Sequence, residues 1–377
     1  MRIGIAVNIS LGHRTGVEEY IYHLLSNFPM FDDYKNHQFF LLAPSATCLP
    51  AGKVEGFPTK ILKWPFKYGW TQIRLSWEML KNKPDVLFVP VHTYPLIYPA
   101  LIHRCRVHPK LIITIQGLEF ERLPKLYPFF KRLFLHWMTK RNAKKANKII
   151  VPSENTKNDL IKYYPDAFKG VGASKIFVVH HGAGNPEAAF DAVDINEFGR
   201  YILYLGRSDR RKNINGLIKA FRILKQKYNI PHKLILAGPN IGYPVTRDIE
   251  NDVIFTGYVA DSRKWHLLKN AEVFVSPSFY EGFGITVLEA QRVGTPVVAS
   301  STSSFPEVLG DPRKGGASSA LLINPYHPSE IAEAIHKIIN HPELADDLIK
   351  RGYENVQRFS WPKCAEETLK VITTDGG

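Results

Sequence analysis

The chain predicts an α/β fold of two domains, each built on a parallel sheet. Three observations lead there. Its 377 residues are enough for two domains of ordinary size. Short apolar runs recur, each followed by a helix-like segment, and that alternation implies parallel strands joined by crossover helices. A stretch without clear periodicity, 181–199, separates two such series and reads as a linker. The apolar fraction of 45% and six tryptophans fit packed interiors.

The first predicted strand is 3–7, which runs into polar Asn8 and reads as a strand and not a signal peptide. A glycine loop, 12–17, leads into a helix over 18–26. Gly16 there would admit a phosphate, although many α/β domains begin this way. Further buried strands are predicted at 39–43, 86–89 and 110–115. Ligands of an open parallel sheet bind beyond the carboxyl ends of its strands. That places segments 90–95 and 114–121 at a site. His92 would hydrogen-bond a substrate, though a lone loop histidine is more often incidental. Glu119 and Glu121 would orient acceptor hydroxyls or stay solvated. Segment 123–148 interleaves aromatics with Lys131, Arg132, Lys140, Arg141, Lys144, Lys145 and Lys148, and is helix-like after Pro128. Phe130, Leu133, Phe134, Trp137 and Met138 share a face. That suits a helix on an anionic bilayer and equally an amphipathic helix whose apolar face is core. Strands at 149–152 and 176–180 close this half, with Ser153 starting the helix between them.

The second half restarts with a strand at 201–205. The loop after it carries Arg207 and Lys212 before a helix over 214–228. Cations there would neutralise a diphosphate. Strands follow at 233–237 and 253–256, and the loop through Val259 would meet a nucleotide base through backbone groups. A short helix, 262–270, leads to the stretch 273–300. This reads as strand 273–275, a tight loop Glu281-Gly282-Phe283-Gly284, a helix over 285–293 and a strand over 296–299. The glycines allow close backbone approach, and the helix start, with Ile285 and Thr286, favours an anion. Glu281 precedes that helix and Glu289 lies about two turns inside it. N–H groups for a diphosphate and carboxylates for sugar hydroxyls suit a sugar nucleotide. A last strand, 321–323, and helices over 328–340, 342–359 and 363–373 complete the chain.

Charge and cysteines bound the partners. Residues 1–190 hold 26 Lys and Arg against 13 Asp and Glu, while residues 191–377 hold 23 against 22. The net charge of +14 is therefore almost all in the first half, which points to an anionic partner. Cys48, Cys105 and Cys364 are scattered and odd in number, which favours a reducing compartment and no structural zinc. No apolar run approaches the ~20 residues of a membrane span. No G-x-G-x-x-G follows a strand, which argues against a nicotinamide enzyme. No Walker lysine motif and no strand-end Asp-x-Asp for a metal is present.

The segments YLGRSDRRKNINGLIKAF, FTGYVADSRKWHLLKNAEVFVSPSFYEGFGITVLEAQRVGTPVVAS and FSWPKCAEETL together resemble glycosyltransferase family 4. TGVEEYIYHLL and IIVPSENTKNDL carry a looser likeness in the first half. The resemblance implies retaining enzymes of the GT-B fold, two Rossmann-like domains facing across a cleft. The domains would be 1–184 on the acceptor side, 185–360 for the donor, and 361–377 as a helix returning to the first. Arg207 and Lys212 match the pair that holds the donor diphosphate. Glu289 would bind the ribose, and Glu281 would position the donor sugar and stabilise positive charge at its anomeric carbon. Gly282, Phe283 and Gly284 would offer backbone N–H groups, and Gly16 would approach the diphosphate. Many members have a histidine where this chain has Gln116. Glutamine is no base, so Gln116 would hydrogen-bond the sugar, or His92 would take that face.

The resulting expectation is a cytoplasmic, metal-independent transferase, peripheral on the inner face of the membrane. It would move mannose from GDP-mannose, or another sugar from a UDP-sugar, to a glycan or polyprenyl-linked acceptor. No nucleic acid is expected as a partner. A non-catalytic sugar-nucleotide-binding protein and a basic nucleic-acid-binding protein are the alternatives. The first would explain Gln116; the second would leave Glu281 and Glu289 without a role.

Overall fold

The computed structural model describes residues 1–8, 16–45, 57–66, 69–91, 109–170, 172–186, 197–239 and 243–374. They form two compact units. The first is Met1–Gly182 with Trp361–Gly377, and the second is Ala183–Ser360.

The first unit carries a seven-stranded sheet in the order β3-β2-β1-β4-β5-β6-β7, every pair parallel. The strands are β1 Arg2–Ala6, β2 Gln38–Ala43, β3 Thr59–Ile61, β4 Val86–Val89, β5 Lys110–Thr114, β6 Lys148–Val151 and β7 Ile176–Val178. Strand β1 sits centrally, Ile3 pairing with both Phe39 and Val86. Burial on both faces explains why β4 reads as an unbroken apolar run. Edge strand β3 was not expected. Its three residues are exposed and two are polar, so it has no apolar pattern to read.

Ser153 caps the helix Glu154–Tyr163, its hydroxyl accepting from the Thr156 N–H at 3.1 Å. The last helix, Trp361–Thr373, packs in this unit and starts two residues before the expected Lys363. The preceding helix, Pro342–Val356, ends before it, and Pro362 falls in the first turn of the last helix, where no N–H is needed, so it opens that helix. Trp361 stacks on His23 at 4.4 Å, and Lys148 donates to the carbonyls of Val371 and Thr374 at 2.9 and 2.7 Å.

The second unit carries a six-stranded parallel sheet in the order β10-β9-β8-β11-β12-β13. The strands are β8 Tyr201–Leu205, β9 Lys233–Ala237, β10 Val253–Gly257, β11 Val273–Ser276, β12 Val297–Ser300 and β13 Leu321–Ile323. Counted within the unit the order is 3-2-1-4-5-6, the doubly wound Rossmann arrangement. Its helices cover both faces, as the two separate buried clusters around the sheet require. Both units are thus Rossmann-like, as expected. Among the described residues no helix is long and apolar enough to cross a membrane.

Candidate active site

In the second sheet β8 and β11 are neighbours whose connections leave in opposite directions. A crevice opens at such a reversal, beyond the carboxyl ends of the two strands. The loops there are 206–213 after β8 and 277–284 after β11.

The first loop is shaped by two caps. Asp209 accepts from the Arg211 N–H at 3.1 Å and starts a one-turn helix, Arg210–Lys212. Asn213 then takes a left-handed backbone, φ 57°, and its side chain accepts from the Gly216 N–H to begin the helix Ile214–Tyr228. Arg211 and Lys212 therefore sit on a short rigid turn.

Both reach Glu281 in the second loop. Lys212 Nζ donates to Glu281 Oε1 at 2.5 Å, and Arg211 donates to Oε2 at 3.0 Å. Ser278 Oγ adds a third bond, to Oε1 at 2.8 Å. The carboxylate side chain is only 9% exposed. Burial pushes its pKa up, but the charges of Lys212 and Arg211 and the hydrogen bonds from Lys212 and Ser278 outweigh that and hold it at about 2. Lys212 shifts the other way for its class: burial first, and Arg211 beside it, bring the ammonium below its usual value despite Glu281. We take the carboxylate as the stabilised partner. It has two cations and a hydroxyl, whereas Lys212 shares one carboxylate with a second cation.

The loop itself is stapled. The Phe279 N–H donates to the Arg211 carbonyl at 2.8 Å, and Arg211 donates to the Tyr280 carbonyl at 3.0 Å. The Glu281 N–H donates to Ser303 Oγ, and Ser304 Oγ donates to the carbonyls of Glu281 and Phe283. Phe283 is buried against Phe359, so it anchors the loop by its ring and leaves only its backbone for a ligand. Gly284 turns the chain into the helix Ile285–Arg292 with φ 102°, and no side chain caps that helix. A Cβ at 284 would stand 2.5 Å from the Phe305 ring. Ile285 packs partly against the core, and Thr286 is half-buried beside it in the first turn. An uncapped helix start beyond a strand end is a place for an anion.

Glu289 lies on the same helix and is buried. Lys264, from the helix Asp261–Asn270, donates to its Oε1 at 2.8 Å and lies over the Trp265 ring at 4.6 Å. Gly184 closes in on the same carboxylate: a Cβ there would be 3.0 Å from Oε1 and 2.9 Å from Trp265. Val259 precedes this helix and packs partly against the core.

The structure thus gathers Lys212, Glu281, Gly282, Phe283, Gly284, Ile285, Thr286 and Glu289 in this one unit at and beside one strand–loop–helix. It leaves Arg207 exposed on the loop, its carbonyl accepting from the Tyr204 hydroxyl. Arg211, Ser278, Ser303 and Lys264 were not singled out from the sequence. Three cations crowd 210–212, and which of them meets Glu281 is set by the Asp209 turn, a tertiary detail. Lys264 sits three residues from Asp261, and nothing in that spacing signals Glu289.

In the first unit, Gly16 is the exposed first residue of the helix Gly16–Asn27. Gln116 follows β5, and its Nε2 is buried with no hydrogen-bond partner among the described residues. His92 lies outside the described residues. Glu121 is neither solvated nor free for an acceptor. It is buried, takes the Tyr164 hydroxyl at 2.7 Å, and lies 2.7 Å from His136 and 3.9 Å from Arg132. Among the described residues no group of three or more His, Cys, Asp or Glu is placed to hold a metal ion.

Comparison with known proteins bears on the whole chain. The family described as Glycosyltransferase Family 4 matches residues 14–183, and the one described as Glycosyl transferases group 1 matches 186–355. The chain is similar to O-antigen chain mannosyltransferase B of Escherichia coli, 33% identical over 185 residues. That match spans 45% of either chain, so less than half the length of this relative. An uncharacterised glycosyltransferase of Methanocaldococcus jannaschii is 25% identical over 77% of this chain and 75% of its own. Among solved structures, sucrose-phosphate synthase from Thermosynechococcus elongatus gives a TM-score of 0.74 at 19% identity over 97% of both chains. Anabaena HepE in complex with UDP and glucose gives 0.72 at 15% identity over 99% of both.

Proposed function

Because the chain belongs to the family 4 glycosyltransferases and has their GT-B pair of Rossmann-like domains, we propose that it transfers a hexose, with retention, from a nucleoside diphosphate sugar to a glycan or polyprenyl-linked acceptor. The observation that carries this reading is Glu281, a buried carboxylate held between Lys212 and Arg211 beside an uncapped helix start. Such a site has cations and N–H groups for a diphosphate and a fixed carboxylate for the sugar.

In this reading the diphosphate lies on the N–H groups of 282–286, with Lys212 and exposed Arg207 as counter-charges. Glu289 accepts from the ribose hydroxyls. Glu281 takes a sugar hydroxyl and faces the positive charge that develops at the anomeric carbon. As the sugar–phosphate bond lengthens, negative charge grows on the leaving phosphate, where the cations are already in place. That phosphate accepts the proton of the incoming hydroxyl on the same face, which preserves configuration and needs no side-chain base. The rate gain then comes from positioning and charge stabilisation. The mechanism uses no metal.

Three relatives named as mannosyltransferases favour mannose as the sugar, and we take GDP-mannose as its donor. HepE with UDP and glucose supports a UDP-sugar as the other choice. We place the enzyme in the cytoplasm, peripheral on the inner membrane face, where polyprenyl-linked acceptors are presented.

The test is a thermal-shift panel of UDP, GDP and ADP with their sugar conjugates, in EDTA, on wild type and Glu289→Ala. A ligand of the folded state raises the melting temperature by mass action. One nucleotide is expected to shift wild type and not the variant. If no nucleotide shifts wild type, the donor assignment fails; if shifts appear only with added metal, the metal-free mechanism fails.

A further inference from the structure

We propose that the helix Phe129–Lys145 is a docking surface for an anionic lipid bilayer. Phe129, Phe130, Leu133, Phe134 and Trp137 are each at least half exposed, Phe130 by 82%. At about 100° per residue the five fall within one arc of about 140°. No residue from 129 to 137 is fully buried, and the helix joins the core through half-buried Leu135 and through Met138, Thr139, Asn142 and Ala143. Its rotation is fixed from behind, where Arg132 and His136 turn to buried Glu121. The aromatic face therefore cannot roll inward without breaking that contact.

Charge selects the occupant. The 17-residue helix contains six cations and no carboxylate. The arc that carries the aromatics continues through Lys140, which lies 3.9 Å from Asp166, and exposed Lys144 over the next two turns. An apolar stretch followed by cations on one face matches acyl chains beside anionic headgroups. A symmetric contact with a second copy would set the lysines of this face against their own copies. Nucleic acid would meet two turns without a cation on the outer face, and phosphates gain nothing from Phe130 or Leu133. The surface does not depend on the donor-site reading, because it lies on the first unit and binds without catalysis.

The experiment is co-sedimentation of the full chain with phosphatidylcholine vesicles, with and without phosphatidylglycerol, at low and high salt. Wild type is expected to bind the anionic vesicles at least tenfold more tightly, and less well in high salt. Phe130→Ser with Phe134→Ser and Trp137→Ser should lower that affinity at least tenfold. Lys140→Gln with Lys144→Gln should lower it by about fivefold per charge. Both variants should keep the wild-type melting temperature and the nucleotide-induced thermal shift, since neither touches the donor site. Equal binding to neutral and anionic vesicles overturns the proposal, as does wild-type affinity in the aromatic variant. A wild-type dimer that the aromatic variant converts to monomer assigns the face to self-association and also overturns it. Retention of RNA in preference to anionic vesicles does the same.

Discussion

Glu281→Gln removes one charge and keeps the shape of the side chain, so it isolates what the carboxylate does. The carboxyl sits at about 2 in the folded protein against a usual value of 4.5. That difference is worth about 3 kcal/mol at neutral pH. Removing one partner from a buried pair gives a comparable figure, about 3–5 kcal/mol, because the remaining charges stay buried. Here the remaining charges are Arg211 and Lys212, each tied to one oxygen of the carboxylate. For a unit of this size the loss lowers its melting temperature by roughly 6–12 °C. A nucleoside diphosphate would place new negative charge between those cations. The variant's deficit should therefore shrink with saturating donor nucleotide, while transfer falls by a hundredfold or more. Thermal melts with and without UDP and GDP, beside a product assay, read all three quantities. If nucleotide stabilises wild type but leaves the variant's deficit unchanged, Lys212 is not a phosphate ligand and the mechanism above is wrong.

Three further outcomes follow from the same geometry. Gly284→Ala forces a Cβ into the left-handed region and against the Phe305 ring, so it should cost about 2–4 kcal/mol in a urea titration of the second unit; no loss would mean that the loop moves freely. Arg207→Ala should leave stability within about 0.5 kcal/mol, because the side chain is exposed, yet weaken nucleotide binding measurably by calorimetry. The acid dependence has a definite sign: a depressed carboxyl stabilises above its unfolded pKa, so the Glu281 contribution is full above about pH 4.5 and fades as pH falls towards 2. Urea midpoints from pH 7 down to 3 should fall more steeply for wild type than for Glu281→Gln, and parallel curves would refute the pairing.

Much of the fold was legible because buried parallel strands announce themselves. Tyr201–Leu205, Lys233–Ala237 and Leu321–Ile323 were placed to the residue, since each is an apolar run flanked by polar or glycine-bearing loops. Thr59–Ile61 was not, because an exposed edge strand has no such run. The helix Leu75–Lys81 was missed for a related reason. Trp77 is exposed while Glu78 is buried, so its pattern contradicts amphipathic expectation. Segment 123–148 shows the limit of periodicity from the other side. The aromatic face was visible, but whether it pointed to core or solvent depended on where Glu121 holds Arg132 and His136.

The site divides along the same physical line. Glycine and carboxylate positions that follow from backbone chemistry were legible: Gly284 is needed for its φ, and Glu281 and Glu289 bracket the helix start that Gly284 creates. Partners chosen in three dimensions were not. Arg211 lies one residue from the expected Lys212, and Lys264 lies 25 residues from Glu289, yet each completes a buried pair. These two cations matter as much as the residues the motif displays. Without ligand they compensate the carboxylates, and a carboxylate already neutralised by Lys264 is a weaker acceptor for a ribose hydroxyl than a bare one. A ribose bound at Glu289, as proposed, would therefore share that oxygen with Lys264 or displace it, and the strength of the Lys264 contact would set part of the affinity for the donor.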